Sequence, residues 1–89
     1  MTAAVPIIVL TQPACGMCDV AKSILARLGE EYPLSVSEID LGTEQGRRLA
    51  AQAGVMFAPG VLVDGRPFSY GRLSERKLRR LLDRRAAPR

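Results

Sequence analysis

The chain's only two cysteines stand two residues apart, as Cys15-Gly16-Met17-Cys18, just after the apolar run Ile7-Ile8-Val9-Leu10. Two thiols at this spacing support dithiol–disulfide exchange: one sulfur attacks a disulfide as a thiolate, and the other resolves the mixed disulfide that forms. Two structural readings compete with it. A structural disulfide across so short a loop removes little entropy from the unfolded chain. A structural zinc site needs four ligands, and the chain has no histidine and no third cysteine. The redox reading needs only what is present.

The chemistry depends on where a helix begins. Pro13 and Ala14 lead out of the apolar run, and Ala21, Ile24, Leu25 and Leu28 then recur at i, i+3, i+4 and i+7. That spacing predicts a helix over Cys15–Leu28, stopped by Gly29. Cys15 falls at or just before its N-terminus, where unpaired N–H groups and the positive end of the helix dipole favour a thiolate. Cysteines so placed have pKa values lowered to about 3.5–7.5. Cys18, one turn in, is expected to be buried and poorly ionised. Gly16 leaves room for a partner chain, and Met17 offers an exposed soft apolar contact or a plain gap-filler.

The remaining elements follow from pattern. Ile7–Leu10 reads as a central strand covered on both faces. Leu34–Ile39 reads as a second strand whose alternation is disturbed at Glu38. Thr43 caps a short helix reaching Ala53, with Leu49, Ala50 and Ala53 inward; Gly46 weakens its first turn. Gly60–Val63 and Arg66–Ser69 flank Asp64-Gly65, a hairpin signal, and Pro67 assigns the last strand to a sheet edge. Ser74 caps a final helix whose Leu73, Leu78, Leu81 and Leu82 form an apolar stripe. The order βαβ, then α, then ββα gives an α/β fold with a small mixed sheet. One domain over residues 1–89 is expected, burying roughly 60–65% of the unfolded surface.

The net charge of +4 is unevenly spread. Arg72–Arg89 holds eight basic residues against Glu75 and Asp83, leaving −2 on residues 1–71. The arginines fall mostly opposite the leucine stripe, and no aromatic residues interleave with them. They read as a solvated helix face, and no nucleic-acid partner is expected. Met1–Leu10 carries no basic residue before its apolar stretch and is far short of the ~20 residues of a membrane span. The expectation is a cytoplasmic monomer without membrane contact, in a compartment that keeps thiols reduced.

Thr11-Gln12-Pro13-Ala14-Cys15-Gly16-Met17-Cys18, followed by Ala21-Lys22 and Leu25, resembles the active-site stretch of glutaredoxins and their NrdH-redoxin relatives. Glu38-Ile39-Asp40-Leu41 is similar to the family's V-D-I. Phe57-Ala58-Pro59 before Val61 is similar to the NrdH-redoxin Q-A-P-V, and Phe68-Ser69 with Arg72 partly resembles W-S-G-F-R. The resemblance covers nearly the whole chain. It implies a thioredoxin-like, glutaredoxin-type fold, with a four-stranded mixed sheet flanked by three helices. By the residues alone, Ala58-Pro59 is an ordinary loop proline before a strand. By the resemblance it is the cis-proline loop that lies against the dithiol and holds a partner's backbone.

Three departures bear on the electron donor. The family's lysine three residues before the first cysteine is Gln12, T-V-P becomes Phe57-Ala58-Pro59, and the G-G with an acidic pair is missing near Tyr70-Gly71-Arg72. These residues leave glutathione without its usual contacts, and Ala58 leans toward the type reduced by thioredoxin reductase. The resemblance therefore implies an oxidoreductase with no bound cofactor beyond a Cys15–Cys18 disulfide. Cys15 and Cys18 are catalytic, and Gln12, Gly16, Met17, Phe57, Ala58 and Pro59 contact the substrate. Reducing equivalents come from NADPH through thioredoxin reductase or from glutathione, and the target is a protein disulfide, with ribonucleotide reductase one candidate. The alternatives are a glutathione-dependent glutaredoxin and a [2Fe–2S] cluster carrier, which Gly16 after the first cysteine fits; visible cluster absorption after anaerobic purification separates the last.

Overall fold

The computed structural model describes residues 4–86; the chain ends, including Met1 and Arg89, lie outside them. Seven elements follow in order: β1 (Val5–Thr11), α1 (Gly16–Gly29), β2 (Leu34–Asp40), α2 (Glu44–Ala53), β3 (Gly60–Val63), β4 (Arg66–Tyr70) and α3 (Glu75–Ala86). The four strands form one sheet in the order β2-β1-β3-β4. β1 runs parallel to β2 through the α1 crossover and antiparallel to β3, and β3 and β4 form an antiparallel hairpin.

The continuous apolar run of β1 has its explanation in this order. Val5, Ile7 and Val9 point to the face covered by Ala21, Ile24, Leu25 and Leu28 of α1 and by Leu78 and Leu82 of α3. Leu10 points the other way, with Leu62 and Ala50 of α2, and Ile8 packs against that second cluster. A strand with helices on both sides has no solvent face to make polar.

The hairpin turn holds Asp64 at φ 55° and Gly65 at φ 77°, the pair of positive φ values that a two-residue type I′ turn requires. β4 is an edge strand, and Pro67 sits beside a register shift between Val61 and Leu62, where its missing N–H costs least. β1 runs two residues further at its start and one at its end than the sequence pattern marks, and β2 and β4 each run one further at the end.

Two glycines act differently from expectation. Gly29 does not stop α1 by a left-handed turn: the cap is Glu30 at φ −76°, and the amides of Glu30, Glu31 and Tyr32 take the last carbonyls of the helix. Gly54, at φ 71°, is the left-handed cap, and it ends α2. Gly46 is no weakness in α2. Its N–H donates to Thr43 Oγ1 at 3.0 Å, and a Cβ there would run into the Asp40 backbone, so only glycine lets α2 start so close to the end of β2.

α3 buries Leu78 and Leu82 along its inner side, Leu73 is buried just ahead of it, and Ser74 Oγ caps it by accepting the Lys77 N–H at 3.2 Å. Arg76, Lys77, Arg80 and Arg84 are exposed, as expected. Arg79 is not free. It makes a fork to Glu31 at 2.7 and 2.8 Å, reaches Glu75 at 3.6 Å and lies over the Tyr32 ring, while Arg27 of α1 bonds Glu75 at 2.8 Å. The Tyr32 hydroxyl donates to Asp83.

This network carries a pH dependence. The hydrogen bond from Arg79 holds the Glu31 carboxyl below its ordinary 4.5, and the bond from Arg27 does the same for Glu75. A depressed folded value stabilises the protein above the unfolded value and loses that contribution as pH falls through the folded one. Arg79→Ala is therefore expected to be less stable than the parent at neutral pH, with the gap closing below 4.5 as both glutamates protonate. Because both pairs are solvent-exposed, the gap is modest and shrinks with salt. Denaturant melts at acid and neutral pH check this; a gap that does not narrow in acid contradicts it.

Candidate active site

β1 ends at Thr11, and Pro13 and Ala14 turn the chain, with Ala14 at φ 53°. The turn places Cys15 as the N-cap of α1, in extended conformation, with its Sγ accepting the Cys18 N–H at 3.1 Å. An N-cap usually offers a serine, threonine or carboxylate oxygen to this amide. Here sulfur holds the position. A thiolate at Cys15 gains both that hydrogen bond and the positive helix end, and both favour ionisation. Cys15 and Cys18 are joined as a disulfide with Cα atoms 5.2 Å apart. Cys15 is half-buried, whereas Cys18 is 1% exposed, so access to the pair is through Cys15.

The β1–β3 register supplies a second wall. Leu10 pairs with Gly60, so the residue before Gly60 is level with Thr11, at the end of the sheet from which Cys15 departs. That residue is Pro59, and the Ala58-Pro59 bond is cis. Ala58 and Pro59 are buried, and the Pro59 carbonyl accepts the Gly71 N–H at 2.8 Å. Gly71 takes φ 77°, and a Cβ there would stand 2.9 Å from the Phe57 ring. Phe57 packs edge-on against Tyr70, with ring centroids 5.1 Å apart. Phe57 and Met56 are 55% and 75% exposed, and Met17 and Tyr70 are also open, so large apolar groups at this end of the molecule lie in water.

On the β2 side of the disulfide lies a recess of about 280 Å³. Gln12, Pro13, Ala14, Cys15 and Cys18 form one side of it. Larger grooves run along β4 and beside the hairpin, but no cysteine lines either. The rest of its lining carries charge: Asp19 and Lys22 from α1, and Glu38 and Asp40 from β2. Of these, Glu38 has a signal of its own, as the break in the β2 alternation, Lys22 and Asp40 occur within the family-like stretches, and Asp19 has none. Tyr70 has none, because its contact with Phe57 joins separate loops. Among the described residues, no group of three or more histidine, cysteine or acidic side chains is placed to hold a metal ion, and no helix is long and apolar enough to cross a membrane.

A four-stranded mixed sheet with this order, a Cys-x-x-Cys pair at the start of α1 and a cis-proline before β3 define a thiol–disulfide oxidoreductase of the thioredoxin superfamily. Within it, the chain belongs to the glutaredoxin-like domain family (DUF836), whose sequence profile matches residues 6–83. Its fold is similar to that of a mutant thioredoxin from Halobacterium salinarum NRC-1, with a TM-score of 0.72 and 22% identity over 96% of this chain and 77% of that one. The thioredoxin-like protein BC3987 matches with a TM-score of 0.67 and 28% identity over 85% of this chain and 99% of its own. Thioredoxin f2 of Chlamydomonas reinhardtii gives 0.67 and 16% over 97% and 82%. A curated relative, NADPH-dependent thioredoxin reductase 3 of Arabidopsis thaliana, is 33% identical over 55 residues. The match takes in 62% of this chain but only 10% of that protein's length.

Proposed function

We propose that this protein is a dithiol electron carrier that reduces protein disulfides and is itself reduced by an NADPH-driven thioredoxin reductase. The observation that carries the reading is the asymmetry of the pair: Cys15 Sγ caps the helix and is reachable, while Cys18 is buried one turn below. The Cys15 thiolate attacks one sulfur of the partner's disulfide, that bond breaks, and the partner's other sulfur leaves as a thiolate. Cys18 then attacks Cys15 Sγ, the remaining partner sulfur departs, and the Cys15–Cys18 disulfide holds the two-electron oxidation.

The other site residues have roles in docking. A Cβ at Gly16 would meet nothing within 4 Å, so a partner's backbone has open space beside the sulfur. Met17 and Phe57 give an exposed apolar rim, and the buried Ala58-Pro59 pair fixes the chain behind it. Gln12 lies on the recess, without the charge that glutathione's carboxylates call for. Three carboxylates against Lys22 line that side, which further disfavours glutathione with its two carboxylates and one amine. A relative named as an NADPH-dependent thioredoxin reductase supports the protein donor.

The test is NADPH consumption with the oxidised protein as acceptor, with thioredoxin reductase in one arm and with glutathione plus glutathione reductase in the other. Faster turnover in the first arm is expected. Turnover only in the second overturns the donor assignment and leaves the dithiol exchange intact.

A further inference from the structure

The Cys15 site stands between two flanks of unlike charge. The recess on the β2 side is lined by Asp19, Glu38 and Asp40 against a single lysine, Lys22. Toward β4, at the other edge of the sheet, runs a groove of about 480 Å³. Its charged lining is Arg72 and Lys77, and no carboxylate lines it. The acid nearest in sequence, Glu75, is committed elsewhere: it pairs with Arg27 at 2.8 Å and with Arg79 at 3.6 Å. Asp64 of the hairpin is paired with Arg85. Arg72 and Lys77 make no ion pair among the described residues.

The groove is continuous with the apolar rim of the site. Tyr70 lines it and packs edge-on against Phe57, and Gly71, between Tyr70 and Arg72, donates its N–H to the Pro59 carbonyl. A chain that leaves the rim over Tyr70 therefore enters the groove at Arg72. Half-buried Val55 and Phe68 make part of its wall apolar. A cleft with low-dielectric walls and charges of one sign focuses their field. Two free cations there attract an anionic group more strongly than Arg80 and Arg84 do on the open face of α3.

We propose that this groove receives an acidic segment flanking the target disulfide of the protein partner, so that Arg72 and Lys77 select which disulfides are reduced; this rests on the dithiol reading above. The segment's carboxylates pair with Arg72 and Lys77 while its cysteine stands at Cys15. The recess on the other side repels the same charge, so the acidic segment lies on one side of that cysteine only. Neither cation touches the reacting sulfurs. They are positioning residues that act on the encounter, and the exchange itself is left to Cys15 and Cys18.

The probes are synthetic peptides with a single cysteine, activated as its mixed disulfide with thionitrobenzoate, and with a run of glutamates or an equal run of glutamines on one flank. In stopped flow with the reduced protein, Cys15 attacks the peptide sulfur, and the coloured thionitrobenzoate, the better leaving group, departs as a thiolate. The glutamate peptide is expected to react about tenfold faster than the glutamine peptide at low salt, for one placement of the flank and not for the other. The ratio should fall toward one at about 1 M salt, where screening acts over about 3 Å. Arg72→Glu with Lys77→Glu should bring the ratio to one or below; if that variant does not fold, Arg72→Gln with Lys77→Gln reads the same loss. Arg80→Glu with Arg84→Glu changes the net charge equally on the open face of α3 and should keep the ratio. A ratio near one in the parent, an equal gain for both placements, a ratio kept when Arg72 and Lys77 are replaced, or one lost as fully with Arg80 and Arg84 overturns the proposal. So does activated glutathione that outpaces the glutamate peptides and loses its advantage when Arg72 and Lys77 are replaced, since the groove is then a glutathione subsite. A parent that releases thionitrobenzoate from none of the peptides overturns the dithiol reading, and this proposal with it.

Discussion

Cys15→Ser is expected to abolish reduction of a protein disulfide, while Cys18→Ser still attacks but stops at a mixed disulfide. The two outcomes differ because the two sulfurs differ in access and in field. Cys15 Sγ occupies the helix cap and takes the Cys18 N–H, so removing it removes both the reachable sulfur and the stabilised thiolate. Serine keeps the cap hydrogen bond, since an oxygen suits that position at least as well. The loss of turnover is then chemical and not structural. With Cys18 replaced, nothing inside the protein attacks Cys15, and release waits for an external thiol. Denaturing electrophoresis without reductant should show a covalent adduct with the partner for Cys18→Ser and none for Cys15→Ser. Adducts from Cys15→Ser at the parent's rate would contradict the assignment.

Leu78→Ala is expected to have the largest effect on folding. Leu78 is fully buried, in a cluster with Val9, Leu25 and Val61, and it joins α3 to the sheet. Truncating a leucine in such a place costs about 2–5 kcal/mol through lost burial and the cavity left behind. For a small domain with a total of about 5–15 kcal/mol, that is a large share. Leu81, three residues on, is only half-buried at the edge of the same cluster, and its truncation should cost clearly less. Denaturant midpoints at unchanged slope measure both. Equal losses for Leu78→Ala and Leu81→Ala would mean that α3 does not pack as described.

What was legible in the sequence is what local pattern determines. The buried run of β1, the periodicity of α1, the Asp64-Gly65 turn and the edge position implied by Pro67 are each written within a few residues. The cap role of Cys15 follows from counting back along one helix. What was not legible depends on neighbours far along the chain. Gly46 looks like a weak helix residue until the Asp40 backbone is beside it, and Gly29 looks like a stop until the amides of Glu30–Tyr32 take its place. Phe57 and Tyr70 meet only because Gly71 leaves space beneath the ring. Arg79 reads as one more solvated arginine until the fold brings Glu31 to it. Glu38 is the instructive case. The sequence shows it as a flaw in the β2 alternation, and only the fold shows it, exposed on the edge strand, bonded to Thr11 and Lys22 on the recess that Cys18 also lines.

The most direct measurement of the central claim is the order in which the two thiols of the fully reduced protein are alkylated. Brief exposure to iodoacetamide at neutral pH, followed by peptide mapping, reports which sulfur is present as a reachable thiolate. Carbamidomethylation of Cys15 well ahead of Cys18 is the expected result. Faster labelling of Cys18 would contradict the placement of the attacking sulfur at the helix cap and the exchange built on it.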